Sequence, residues 1–418
     1  MSASTSTRES SPQPAIKPLS NRIVGLLGPA FVAAVAYVDP GNVAANITAG
    51  STYGYLLTWV LVAASAMAVL IQYQSAKLGI VTGKSIPEYL GDTLPPTARR
   101  LYWFQAEIVA GATDLAEVIG GAIALHLLFD LPLVWGGVIV GAASMLFLVL
   151  KDRRGQKIFE NAVIVFLTII AVGFLAGLFV SPPAAHDVAR GLIPTFQGQE
   201  SVLVAASMLG ATVMPHAIYL HSSLVGDRYG RDHSDASIRR LLHASKVDVV
   251  GALALAGVVN IGLLLLAASA LRGADGTDTI EGAHAAVSST FGTGIGLLFA
   301  LGLLASSLAS TSVGAYAGSE IMRGLLKFQV PLYVRRIITI IPAIVILGMG
   351  AEPTWALVIS QVVLSFGIPM AIIPLTLLTR SNKVMGKWCD GRVVGALMAI
   401  VSVLIVALNL WLVVLTLQ

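Results

Sequence analysis

The sequence predicts an all-α membrane protein with eleven transmembrane helices, and three observations predict it. Of its 418 residues, 56% are hydrophobic and only 11% charged, whereas soluble domains carry about a quarter charged residues. Apolar runs of about 18 to 25 residues recur along the chain, each long enough to cross a ~30 Å hydrocarbon core. Only helices and closed barrels satisfy their backbone groups in lipid, and the alternating strands of about ten residues that a barrel needs are missing.

The elements follow in order. Residues 1–20 are rich in Ser, Thr and Pro and lack the apolar core of a signal peptide, so they read as a disordered cytoplasmic tail before one transmembrane domain over 21–418. The first span, 23–48, follows Arg8, Lys17 and Arg22. Lys77, Lys84, Arg99 and Arg100 lie around the connection from the second span (54–80) to the third (101–128). The fourth (132–150) and fifth (159–181) are joined through Lys151, Arg153, Arg154 and Lys157. The sixth (201–225) leads past Arg228, Arg231, Arg239, Arg240 and Lys246 into the seventh (241–271). The eighth (290–325) and ninth (334–350) meet around Arg323, Lys327, Arg335 and Arg336. The tenth (353–379) and eleventh (391–416) meet around Arg380, Lys383, Lys387 and Arg392. Thus 24 of the 26 basic residues fall on one side, and only Arg190 and Arg272 on the other. The positive-inside rule makes the N-terminus cytoplasmic and, with an odd number of spans, the C-terminus external. A missed span would have scrambled that alternation.

No connection has room for a soluble domain, so the chemistry must lie within the bilayer of the cell membrane. The net charge of +4 is spread over short loops and does not indicate nucleic acid. One cysteine, Cys389, excludes a disulfide framework, and nothing in the sequence requires an oligomer or a bound cofactor.

The first and sixth spans each carry a helix-breaking proline near mid-span, five spans apart. That pattern predicts an inverted repeat of five plus five helices, with the eleventh outside it. In the first span, Asp39-Pro40-Gly41-Asn42 combines a missing donor with a permissive glycine and frees carbonyls from about Ala36 to Asp39. Asp39 puts a carboxylate where charge costs at least ~2.5–3.5 kcal/mol. A bound cation would offset that cost, although capping of the second half-helix also explains an Asp here. In the sixth span, Met214-Pro215-His216 mirrors the break. A methionine in an apolar helix is ordinarily core filler, but beside a break its thioether would favour late transition metals over Ca²⁺ and Mg²⁺. Asp39, Asn42, Met214 and one or two carbonyls would suit Mn²⁺ or Fe²⁺.

Glu107, Asp114 and Glu117 share one stripe of the third span. They read as a proton relay or as a wet polar face. His216 and His221 titrate near neutral pH and fit proton transfer, while His221 reads equally as a packed, hydrogen-bonded histidine. Arg335 and Arg336 are either counter-charges to Asp114 or Glu117, or topology anchors. Gln361 in the tenth span would approach a cation when the site closes, or bond another helix.

These residues resemble the Nramp family of proton-coupled divalent metal transporters. Asp39-Pro40-Gly41-Asn42 and Met214-Pro215-His216 are similar to its paired signatures, and Ala112-Thr113-Asp114-Leu115-Ala116-Glu117 resembles its third helix. The resemblance covers the chain from about residue 23 onward. It implies a leucine-transporter-type fold and symport of Mn²⁺ or Fe²⁺ with protons into the cytoplasm. It implies Asp39, Asn42 and Met214 as ligands, with the carbonyls of Ala36 and Ala211, which need not ligate together. It implies Asp39, His216, Asp114 and Glu117 in proton transfer. Met214 argues against the branch of the family that carries Mg²⁺ or Al³⁺. Two rivals are a sodium-coupled amino-acid carrier, whose substrate carboxylate Asp39 would repel, and a metal-conducting channel, which needs no acidic stripe. No HExxH, nucleophile elbow or P-loop suggests an enzyme.

Overall fold

Each apolar run becomes helix. The structure, a computed structural model, describes residues 26–416 except 155, 232, 274, 275 and 329; the tail predicted over 1–20 lies outside them. The first run is α1 (Pro29–Val35), a 3₁₀ turn (Ala36–Val38) and α2 (Pro40–Tyr53). Next come α3 (Thr58–Thr82), α4 (Ile86–Thr93), α5 (Pro96–Phe129), α6 (Leu133–Arg154), α7 (Gln156–Leu175) and α8 (Ala185–Arg190). The sixth run is split into α9 (Gly198–Thr212) and α10 (Pro215–Tyr229), and α11 (Asp235–Leu266) and α12 (Ile280–Phe291) follow. The remainder is α13 (Thr293–Leu326), α14 (Leu332–Gly348), α15 (Pro353–Thr379), α16 (Asn382–Met385) and α17 (Arg392–Thr416). Eight helical segments among the described residues are long and apolar enough to cross a membrane, and Pro29–Val38 and Leu133–Leu146 are shorter apolar helices.

The broken elements sit inside the bundle. α13 packs on α5 and α7, α11 on α3 and α2, and α15 on α9, α5 and α2. Both half-helix pairs are therefore walled by long helices. Most of α2 and α10 is buried, while α17 exposes Val403, Leu404 and Leu410 along its outer side. Apolar surface of that kind is what lipid-facing helices present.

Four short helices, α4, α8, α12 and α16, occupy connections that periodicity alone left without structure. α4 begins with a capping box, Ser85 and Glu88 each satisfying the other's backbone N–H. Its Ile86 N–H donates to Ser222 Oγ of α10 at 3.0 Å. Asp92 at its end bridges Lys327 at 2.7 Å and Lys84 at 2.9 Å. Those two ammonium groups hold the Asp92 carboxyl down at about 2.

The start of α1 is capped from a distance. Gly28 precedes Pro29 and has no side chain to offer the helix's orphan N–H groups. The Asp248 carboxylate of α11 accepts from Gly28 N at 3.0 Å and from Ala30 N at 2.9 Å instead. α1 is thereby fixed to α11, which also packs against α2 beyond the break.

Candidate metal site

Proline explains where the two breaks fall. A helix bonds each N–H to the carbonyl four residues back, so Pro40 cannot bond Ala36 and Pro215 cannot bond Ala211. At the first break the chain tightens into the 3₁₀ turn Ala36–Val38, then Asp39 turns extended (φ −76°, ψ 168°) and caps α2. At the second, Val213 and Met214 leave helical geometry and Pro215 starts α10.

Asp39 does serve as a cap, and that is only half of what it does. Its Oδ1 accepts from Asn42 N at 2.8 Å and from Asn42 Nδ2 at 2.7 Å. Its Oδ2 is buried without a hydrogen-bond partner among the described residues. Asn42 Nδ2 also donates to the Ala211 carbonyl at 2.9 Å, the one Pro215 leaves free. One side chain therefore ties the two breaks together. Its own Oδ1 is buried and unbonded, like Asp39 Oδ2.

The Tyr37 and Val38 carbonyls at the first break are taken. Asn260 of α11 donates to the Tyr37 carbonyl at 2.6 Å and accepts from Asn46 at 3.0 Å. Ser306 of α13 donates to the Val38 carbonyl. Met214 is fully buried three residues beyond Ala211. Among the described residues no cluster of three or more His, Cys, Asp or Glu could hold a metal. A cation at the breaks would thus have Asp39 as its charged donor, with amide, thioether and carbonyl completing the set. That mixture of hard and soft donors suits a mid-row transition metal better than Ca²⁺ or Mg²⁺.

Gln361 reaches the same place from α15. A Cβ at Gly41 would run into the Gln361 amide, and one at Gly210 into its backbone carbonyl. Gly41 lies beside Asp39 and Gly210 beside Ala211, so Gln361 lies between the two breaks, with a buried Oε1 that has no hydrogen-bond partner. Pro40 seats its ring on Gly120 of α5, where a Cβ would collide with it.

Along α5 the three acids go different ways. Asp114 pairs with Arg336 at 2.7 Å, both side chains buried. Arg336 Nε also donates to Ser144 Oγ of α6 at 3.0 Å. Glu107 pairs with Arg335 at 2.8 Å. The sequence-level choice of Asp114 or Glu117 as partner for Arg335 is corrected: Glu107 sits two turns earlier on α5, level with the start of α14. The anchor reading is corrected for both arginines as well, because both are buried in ion pairs. Glu117 is buried against α13, its Oε1 3.0 Å from where a Cβ of Gly314 would stand.

His216 stands next to Pro215, with Nδ1 3.3 Å from Thr113 Oγ1 on α5. Thr113 neighbours Asp114, so the histidine abuts the acidic stripe. His221 is elsewhere: its Nδ1 lies 2.8 Å from Gln72 Oε1 of α3, and Gln72 donates to the Tyr37 hydroxyl at 2.6 Å. This is the packed, hydrogen-bonded alternative for His221.

From residue 30 to residue 415 the chain matches the family described as natural resistance-associated macrophage protein-like, Nramp. The chain belongs to the Nramp family. It is 56% identical over 391 residues to the divalent metal cation transporter MntH of Mycobacterium tuberculosis strain CDC 1551, covering 94% of this chain and 91% of that one. It is 44% identical over 396 residues to the MntH of Bacillus subtilis strain 168, covering 94% and 92%. A crystal structure of the Eremococcus coleocola manganese transporter superposes with a TM-score of 0.83 at 31% identity, covering 93% of this chain and 86% of that one. MhsT in complex with L-phenylalanine, at 15% identity and a TM-score of 0.57, shares the fold alone. In this Nramp chain, sequence reasoning missed Asn260, Ser306 and Thr113 beside the site. Each is a polar residue in an apolar span, which was the available signal.

Proposed function

We propose that this chain imports Mn²⁺ and Fe²⁺ by symport with protons, through alternating access around the two breaks. Eleven transmembrane helices in a 5+5 inverted repeat would form the carrier, with the N-terminus cytoplasmic and the C-terminus outside. The relatives named as divalent metal cation and manganese transporters support the metal. The observation that carries the reading is Asn42 bonded to both Asp39 and the Ala211 carbonyl, beside buried Met214. Asp39, Asn42, Met214, Gln361 and the Ala36 and Ala211 carbonyls are the donors, not all engaged in one state. Asp39 binds either metal or a proton, and His216, Asp114 and Glu117 pass that proton on, with Arg336 setting the charge around Asp114.

Uptake of a metal panel into proteoliposomes, with and without an inward proton gradient, tests the reading. Mn²⁺ should accumulate faster when the outside is acid, with protons entering alongside. Downhill metal flow that ignores the gradient would make the protein a channel. Met214→Ala should lower Mn²⁺ and Cd²⁺ affinity about tenfold, the scale of changes around a metal's ligand shell, and let Ca²⁺ compete. Unaltered Ca²⁺ exclusion would remove the sulfur from the site.

A further inference from the structure

α15 contains two internal prolines, Pro369 and Pro374. Each removes the N–H that would bond four residues back, so the Ser365 and Met370 carbonyls lose their helical partners. Side chains of neighbouring helices take both. Tyr102 of α5 donates its hydroxyl to the Met370 carbonyl. Asn409 of α17 donates Nδ2 to the Ser365 carbonyl at 3.0 Å. Asn409 also accepts the Ser365 hydroxyl at 2.8 Å and reaches its own helix at the Ile405 carbonyl, 3.0 Å away. It is a buried amide in a largely apolar helix, and each of its two bonds to Ser365 needs a different end of that amide.

Ser365 lies one turn from Gln361. The same turn is pressed by α9: a Cβ at Gly210 would collide with the Gln361 carbonyl and stand 3.0 Å from Ser365 N. Residues 361–365 are therefore held by both α9, just before its break, and α17. We propose that Asn409 is a positioning residue for the metal site. By taking the carbonyl that Pro369 frees, it sets the turn of α15 that holds Gln361 against Gly41. α17 thereby acts on metal affinity from outside the site. This rests on Gln361 serving as a metal donor.

Mn²⁺ uptake by the full chain in proteoliposomes is measured for Gln361→Ala, Asn409→Ala and the double variant. Asn409→Ala should raise KM about fivefold, the scale of one hydrogen bond, with Vmax per folded transporter little changed. The double variant should be no worse than Gln361→Ala alone, because the two residues act through one contact. A purely structural role would lower Vmax with the amount of folded protein and leave KM alone. Unchanged KM in Asn409→Ala beside a raised KM in Gln361→Ala, or effects that multiply in the double variant, overturns the proposal. Unchanged KM in Gln361→Ala removes Gln361 as a donor, and the proposal with it. If Asn409→Ala does not fold, Asn409→Leu keeps an apolar side chain of similar volume and still removes the amide that takes the Ser365 carbonyl. It should raise KM too, and an unchanged KM there overturns the proposal.

Discussion

Asp39→Asn is expected to fold, to melt no lower than the parent chain, and to lose Mn²⁺ transport by on the order of 100-fold, the upper range for a charged interaction. The substitution keeps an oxygen able to accept from Asn42 N, and Asn caps helices about as well as Asp. It removes a buried carboxylate whose Oδ2 has no hydrogen-bond partner in the described structure, and such a charge is costly inside a bilayer. Stability should therefore hold or rise while transport falls. That opposition separates a functional carboxylate from a structural cap. Melting in detergent and uptake in sealed vesicles measure the two, and a variant that transports at the parent rate would take Asp39 out of the site.

The second large effect concerns Arg336. It is buried, paired with Asp114 at 2.7 Å and bonded to Ser144 at 3.0 Å. Arg336→Met leaves Asp114 buried without its counter-charge, and breaking a buried pair from one side costs about 3–5 kcal/mol. The melting temperature should fall clearly. Combining Arg336→Met with Asp114→Leu removes both charges and should recover most of that loss, since an apolar pair of similar volume is often as stable. Proton-driven accumulation should stay impaired in the double variant even where stability returns. A single variant that melts like the parent would show that the pair does not hold α14 to α5.

What was legible in the sequence is what proline, charge and period dictate locally. Asp39-Pro40-Gly41-Asn42 and Met214-Pro215 mark the breaks because a missing donor acts on its own chain, four residues back. Glu107, Asp114 and Glu117 share a stripe because helical spacing requires it. The partners of those groups were not legible. Glu107 rather than Asp114 takes Arg335 because of how α14 lies along α5, and no spacing encodes that. Asn260, Ser306 and Asn409 carry no local signal of their role, since each answers a carbonyl freed on another helix. Counting back four from Pro215 and Pro369 gives Ala211 and Ser365, so the sequence shows which carbonyls need a donor. Only the packing shows that Asn42 and Asn409 supply it.

The single carboxylate at the breaks has an electrical consequence. In the proposed site, a divalent ion held by Asp39 and otherwise neutral donors would leave one uncompensated positive charge. Carrying that charge inward across an inside-negative membrane gains about 2.3 kcal/mol per 100 mV. The empty site returns with one negative charge if Asp39 is bare and with none if it is protonated. Under the proposed mechanism, membrane voltage would therefore act on the loaded carrier, and the protonation state of Asp39 would decide whether it also acts on the return.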